Sequence, residues 1–180
     1  DGMGGHAAGE VASRITCDSI RRYIDERHLE ELGKDDILRA IDFANASLRA
    51  EMEKDELLKG MGTTLTFAAV KDEEIIIAQV GDSRAYHFNG NAVRKVTDDH
   101  TYVQYLIDSG VIKGKAASEY PFKNIITRAV GMKDLKVDFF EFKWKSGDML
   151  LLCSDGLSNY TDETILKQVL SANTTLAHKT

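Results

Sequence analysis

Between residues 35 and 58 the apolar positions Ile37, Ile41, Ala44, Leu48 and Met52 recur at spacings of four, three, four and four. That period lays one apolar stripe along a helix. Asp35 is the expected N-cap, and Gly60-Met61-Gly62 ends the pattern. A less regular stripe, Val11, Ala12, Ile15, Ile20, Tyr23 and Ile24, predicts an earlier helix from Ala8 to about Arg27. Met61 and the Ile37-to-Met52 stripe are assigned to the core.

Past residue 62 the period shortens. Thr63 to Val70 alternates in part and is rich in β-formers, and Ile75 to Val80 is a continuous apolar run. The polar stretch Lys71 to Glu74 separates the two as a turn, and Gly81-Asp82-Ser83 separates the second from a strand at Arg84 to Phe88. Asn89-Gly90 is a strong hairpin signal and leads into Ala92 to Val96. Val137 to Lys143 and Asp148 to Cys153 read as two further strands with Ser146-Gly147 as the turn between them, and Asp162 to Leu170 as a closing helix capped by Thr161 or Asp162. Strands joined by short turns imply antiparallel sheets. Helices segregated from them imply an α+β protein with helices laid on sheets. The span 1–180 reads as a single domain without repeats, low-complexity segments or linkers.

Composition narrows the function classes. The net charge of -6 argues against nucleic acid as the main partner. No apolar run approaches the roughly 20 residues that cross a bilayer. Cys17 and Cys153 are too few and too isolated for a disulfide framework. They point to a reducing compartment, with the cytoplasm as the expected location, and are expected to pack as small buried hydrophobes.

The chemistry sits in acidic turns. Asp1 is followed by Gly2, Gly4 and Gly5 within four positions, and Ser154-Asp155-Gly156 follows the apolar run Met149 to Cys153. Asp98-Asp99-His100 lies between them. Such turns suit hard cations, which prefer carboxylate and carbonyl oxygens. On the residues alone, Asp1 and Asp155 read at least as readily as turn or cap residues beside glycines. Asp99 also reads as an N-cap. Asp82 and Arg84 read as a hydrogen-bonded brace for their turn, and Arg128 as half of an internal salt bridge. His6 and His100 are candidate general acids, His100 equally a helix-start residue. His28, His87 and His178 read as surface residues.

Six segments then match a family in order: Asp1 to His6 with Gly9 to Ser13; Gly60 to Thr64; Val80 to Arg84; Thr97 to Thr101; Ile126 to Gly131; and Leu151 to Leu157. The chain resembles the metal-dependent protein phosphatases of the protein phosphatase 2C type, most closely the bacterial branch. The resemblance implies a four-layer α-β-β-α sandwich of two antiparallel sheets, with Mn²⁺ or Mg²⁺ (two ions, or three) at one end. It further implies metal binding by Asp1, the Gly2 carbonyl and Asp155, with Asp99, rather than Asp98, holding a third ion together with Asp155. By the same resemblance, glycine at position 2 lets the backbone approach the ion.

A water activated between the cations on Asp1 and Asp155 would hydrolyse phosphoserine or phosphothreonine. No phosphoenzyme is expected, since neither cysteine lies in a Cys-x₅-Arg loop. Substrates would be phosphorylated proteins, those of a Ser/Thr kinase in bacterial signal transduction. The alternatives are a catalytically inactive regulatory or interaction domain of the same fold and, leaving the acidic turns unexplained, an acidic helical binding module.

Departures from the family pattern add expectations. Met3 stands where animal members carry a proton-donating His. The chain opens at the expected bridging aspartate and stops short of a closing Asp-Asn motif, so it is expected to be an incomplete catalytic domain. Its missing strands would come from a longer polypeptide or a neighbouring chain, and alone it is expected to be poorly soluble and inactive. The segment at about 101–123 is expected to form a helix-containing flap over the site.

Overall fold

The computed structural model describes residues 1–113, 120–122 and 125–172, the His6 side chain excepted. Part of the expected flap and all of His178 lie outside the described residues. The strands are β1 (Gly2–Met3), β2 (Gly62–Thr63), β3 (Leu65–Lys71), β4 (Glu74–Val80), β5 (Arg84–Phe88), β6 (Val93–Lys95), β7 (Asp138–Lys143) and β8 (Met149–Cys153). The helices are α1 (His6–Glu26), α2 (Lys34–Lys54), α3 (Tyr102–Asp108), α4 (Asp155–Ser158) and α5 (Glu163–Ser171).

β3, β4 and β7 pair antiparallel in the order β3-β4-β7, and a second antiparallel sheet runs β6-β5-β8. Alternation along the central strands sorts their side chains onto two faces. On β4, Ile75 and Ile77 turn toward the second sheet and meet Ala85, Phe140, Phe142 and Leu150. Ala78 of β4 packs instead with Ile20 and Tyr23 of α1 and Ile37 and Ile41 of α2. On the far side Tyr86 and Phe88 of β5 pack with Leu166 and Leu170 of α5. The order of layers is therefore helices, sheet, sheet, helix, the expected four-layer sandwich. β4 is covered on both faces, which is why its apolar run is continuous rather than alternating.

Several local expectations change. α2 is capped by Gly33, whose N–H donates to the Asp36 carboxylate at 3.2 Å, and Asp35 lies in the first turn. The helix stops at Lys54, where Asp55 goes extended and its side chain accepts from Leu57 N–H to cap a short 3₁₀ turn. The Ser146-Gly147 turn joins no hairpin: β7 and β8 lie in different sheets, and so do β4 and β5 across Gly81-Asp82-Ser83. Short turns there carry the chain between layers, a geometry that resembles a hairpin in one dimension only.

Cys17 is exposed and lines an open cavity between α1 and Leu65 to Phe67 of β3. His87 is not a surface residue. It alternates with Tyr86 onto the inter-sheet face, where its ring lies 4.9 Å from Phe142 and its Nε2 lies 2.8 Å from Asp148.

Candidate active site

Strand register gathers the candidate residues at one end of the sandwich. Val80 closes β4 opposite Leu65, which brings Thr64 beside the 81–83 turn. Arg84 opens β5 opposite Cys153, so Asp155 follows two residues beyond the same edge. β1 lies against β2 with Gly2 opposite Thr63. There the Asp1 carbonyl accepts from the Thr64 N–H and the Thr63 hydroxyl, each at 2.9 Å, and the Asp1 amino group donates to Thr64 Oγ1 at 3.1 Å.

Gly2 also has a packing reason of its own. A Cβ there would stand 1.8 Å from the Gly9 carbonyl oxygen, so the pair Gly2/Gly9 is what lets β1 lie directly on the first turns of α1. Gly81 is equally constrained. Its φ is +95°, and a Cβ would meet Thr64 Cγ2 at 2.5 Å.

The carboxylates differ in their surroundings. Asp155 is the first residue of α4, where the helix N-terminus favours negative charge, and it accepts from Asn159 Nδ2 at 3.2 Å. Both oxygens of Asp99 are engaged by Arg84, at 2.9 and 3.1 Å from Nε and 2.5 Å from Nη2, and Lys95 lies 3.3 Å away. Burial opposes the charge of Arg84, but its hydrogen bonds to Asp99 and Tyr86 outweigh that and hold its pKa above the ordinary value. Asp98 is exposed.

Asp82 forms no ion pair among the described residues. Burial, then the charges of Asp155 and Asp99, push its carboxyl above the usual range. Its carboxyl thus stands among acidic neighbours, a setting that its reading as a turn brace did not include. The signal was present in its position, an Asp inside a glycine turn at a strand end, like Asp155.

The histidine and thiol groups stand differently from the carboxylates. Gly81 N–H donates to His100 Nδ1 at 3.1 Å, so Nε2 carries the proton and donates to Asp138 at 3.0 Å. Arg128 pairs with the other oxygen of Asp138 at 2.7 Å, the internal salt bridge expected of it. Burial above all lowers the His100 pKa, and the nearby Arg128 charge adds to that. His100 is a buried, neutral, fully bonded ring rather than an exposed proton donor. Burial raises the Cys153 thiol pKa, which disfavours the nucleophilic thiolate.

Among the described residues no three His, Cys, Asp or Glu side chains converge tightly enough to hold an ion by themselves. What the structure does contain is a half-buried carboxylate, Asp82, whose charge is opposed by Asp155. This all-oxygen donor set fits a hard divalent cation, which would relieve that repulsion. A cavity of about 490 Å³ between α1 and α2 is lined by none of these residues.

The family model described as protein phosphatase 2C matches residues 1–177. The chain belongs to the protein phosphatase 2C family. It is 38% identical over 184 residues to the serine/threonine phosphatase stp of Listeria monocytogenes, covering 99% of this chain and 73% of that protein. The Streptococcus agalactiae serine/threonine phosphatase structure superposes with a TM-score of 0.92 at 34% identity, covering 99% of this chain and 75% of the other. The catalytic domain of the serine/threonine protein phosphatase PstP, solved in complex with 2 manganese ions, superposes with a TM-score of 0.85 at 32% identity, covering 99% and 74%.

Within this phosphatase fold, Gln79 was not singled out from sequence; it is completely buried at the end of β4 and binds the 81–83 turn. A lone Gln in an apolar strand signals only that something polar lies beside it.

Proposed function

We propose that this domain is a Mn²⁺- or Mg²⁺-dependent phosphatase that hydrolyses phosphoserine and phosphothreonine in proteins. The observation that carries the reading is that strand register brings Asp82 and Asp155 to the same end of the sandwich, where the Asp155 charge opposes that of Asp82 and Asp1 is held to Thr64. The Asp1 carboxylate, the Gly2 carbonyl and Asp155 would hold the main ions. For a further ion, Asp82 is the better-placed partner of Asp155, because Asp99 is committed to Arg84. Bound cations supply positive charge to the phosphoryl oxygens and lower the pKa of water.

The chain's own part is to place these oxygens and to keep competing chemistry away. Asp99 fixes Arg84 and so the first residue of β5. α4 presents Asp155 from its N-terminus. His100 and Cys153 are withheld as nucleophiles by burial, consistent with direct attack of water and no phosphoenzyme. Substrates would be proteins phosphorylated by a Ser/Thr kinase, in bacterial signalling in the cytoplasm. No helix among the described residues is long and apolar enough to cross a membrane.

The test is phosphate release from a phosphothreonine peptide. Chelation with EDTA should abolish it and Mn²⁺ restore it. Turnover undiminished in excess EDTA would overturn the metal-dependent reading, and absence of turnover with Mn²⁺ bound would favour an inactive regulatory domain.

A further inference from the structure

Two buried polar side chains, Gln79 and His100, converge on the backbone of the inter-sheet turn. Gln79 donates through Nε2 to the carbonyl oxygens of Gly81 at 3.0 Å and Ser83 at 2.6 Å, while its Oε1 accepts from the Thr66 hydroxyl at 2.7 Å. His100 grips Gly81 from the opposite side. Its Nδ1 accepts the Gly81 N–H, and the His100 backbone N–H donates to the Gly81 carbonyl at 2.9 Å. The Ser83 and Thr64 hydroxyls lie 2.8 Å apart, and Thr64 in turn receives the Asp1 amino group at 3.1 Å. Gln79 is 0% exposed and His100 5% exposed. The Gln79 amide nitrogen serves the turn alone, and its oxygen is held by Thr66 on the neighbouring strand.

We infer that Gln79 and His100 are positioning residues that clamp the Gly81-Asp82-Ser83 turn and thereby set the Asp82 carboxylate against Asp155 and Asp1. The inference rests on the proposed metal-dependent reading of the site. The clamp acts through backbone, so neither residue touches a cation or substrate. His100 extends it through Asp138 to β7 and Arg128, which ties the turn to the sheet it leaves. Thr64 extends it to Asp1, which ties two sequence-distant parts of the site to one node. The outer contacts of such sites change metal affinity about 10- to 100-fold when removed.

The experiment is Mn²⁺ titration calorimetry on the full protein and its Gln79→Met variant, beside phosphatase assays across Mn²⁺ concentration. Met keeps the size and removes both donors. The expected result is Mn²⁺ affinity weakened about tenfold or more, with kcat largely recovered at saturating Mn²⁺. Ile77→Val, which loses packing in the same strand but leaves the turn's hydrogen bonds in place, should lower Tm without moving Mn²⁺ affinity.

Unchanged affinity in folded Gln79→Met would overturn the inference. If that variant does not fold, His100→Gln carries the same expectation from the other side of the turn, with the same overturning result. A wild-type protein that binds no Mn²⁺ would overturn the metal-dependent reading itself.

Discussion

Asp82 and Asp155 separate two effects that act on one carboxylate. Burial and the Asp155 charge raise the Asp82 pKa, so its ionised form is disfavoured in the fold relative to the unfolded chain. For an acid with a raised pKa, the folded state loses stability as pH rises past the unfolded value of about 3.9. At neutral pH Asp82 therefore costs stability in metal-free protein. Asp82→Asn should raise Tm in EDTA and reduce the rise in Tm on adding Mn²⁺, both read by differential scanning. A fall in Tm in EDTA would contradict the assignment.

Asp155→Asn should leave the fold intact and lower kcat/KM by roughly 100-fold or more. Losing several kcal/mol of charge stabilisation at the phosphoryl group, at 1.36 kcal/mol per tenfold, requires at least that. Near-normal turnover by a folded variant would rule Asp155 out as a ligand. The acidic glycine turns at Asp1 and Asp155 stood out in sequence because glycine and carboxylate adjoin there. The state of Asp99 did not, because the occupancy of its oxygens depends on Arg84, fifteen positions away along the chain and adjacent only after β5 and β6 pair.

At the scale of elements, α2 shows why a clean period is reliable. Ile37, Ile41, Ala44 and Leu48 are at most 1% exposed, as their spacing required. Ile41→Ala should cost about 2–5 kcal/mol, measured by urea unfolding, and a cost below about 1 kcal/mol would mean the α2 stripe is not core. Element boundaries and capping were less legible. That Gly33 rather than Asp35 caps α2 depends on the backbone angle at Gly33, which no period encodes. The turns at 81–83 and 146–147 were placed correctly along the chain. Their destinations were not, because a short turn between β-runs serves a hairpin and a change of layer alike.

For the molecule as a whole, the polar chain Gly81–His100–Asp138–Arg128 predicts acid sensitivity. His100 has its pKa lowered by burial, so its contribution is complete above the unfolded value of about 6.5 and is lost as pH falls through the lowered folded value. Burial alone would raise Asp138, but its bonds to Arg128 and His100 prevail and hold it low, so its contribution is lost only as pH falls below about 3.9. Unfolding free energy should therefore decline as pH falls below about 6.5, with a slope approaching one proton, and that slope should flatten in His100→Gln. An unchanged slope in the variant would assign the acid response elsewhere.

The crossover at 81–83 has a mechanical consequence. Among the described residues no ladder hydrogen bond joins the two sheets; side chains such as Ile77, Phe140, Ala85 and Leu150 fill the gap between them. Non-directional contacts tolerate sliding better than backbone ladders do. Asp82 leaves one sheet while Asp155 leaves the other, so a small shear between layers alters their separation before either sheet melts. Dilute denaturant should then silence turnover while far-ultraviolet dichroism is still native, and inactivation coincident with loss of the dichroism signal would show the layers to be locked as one body.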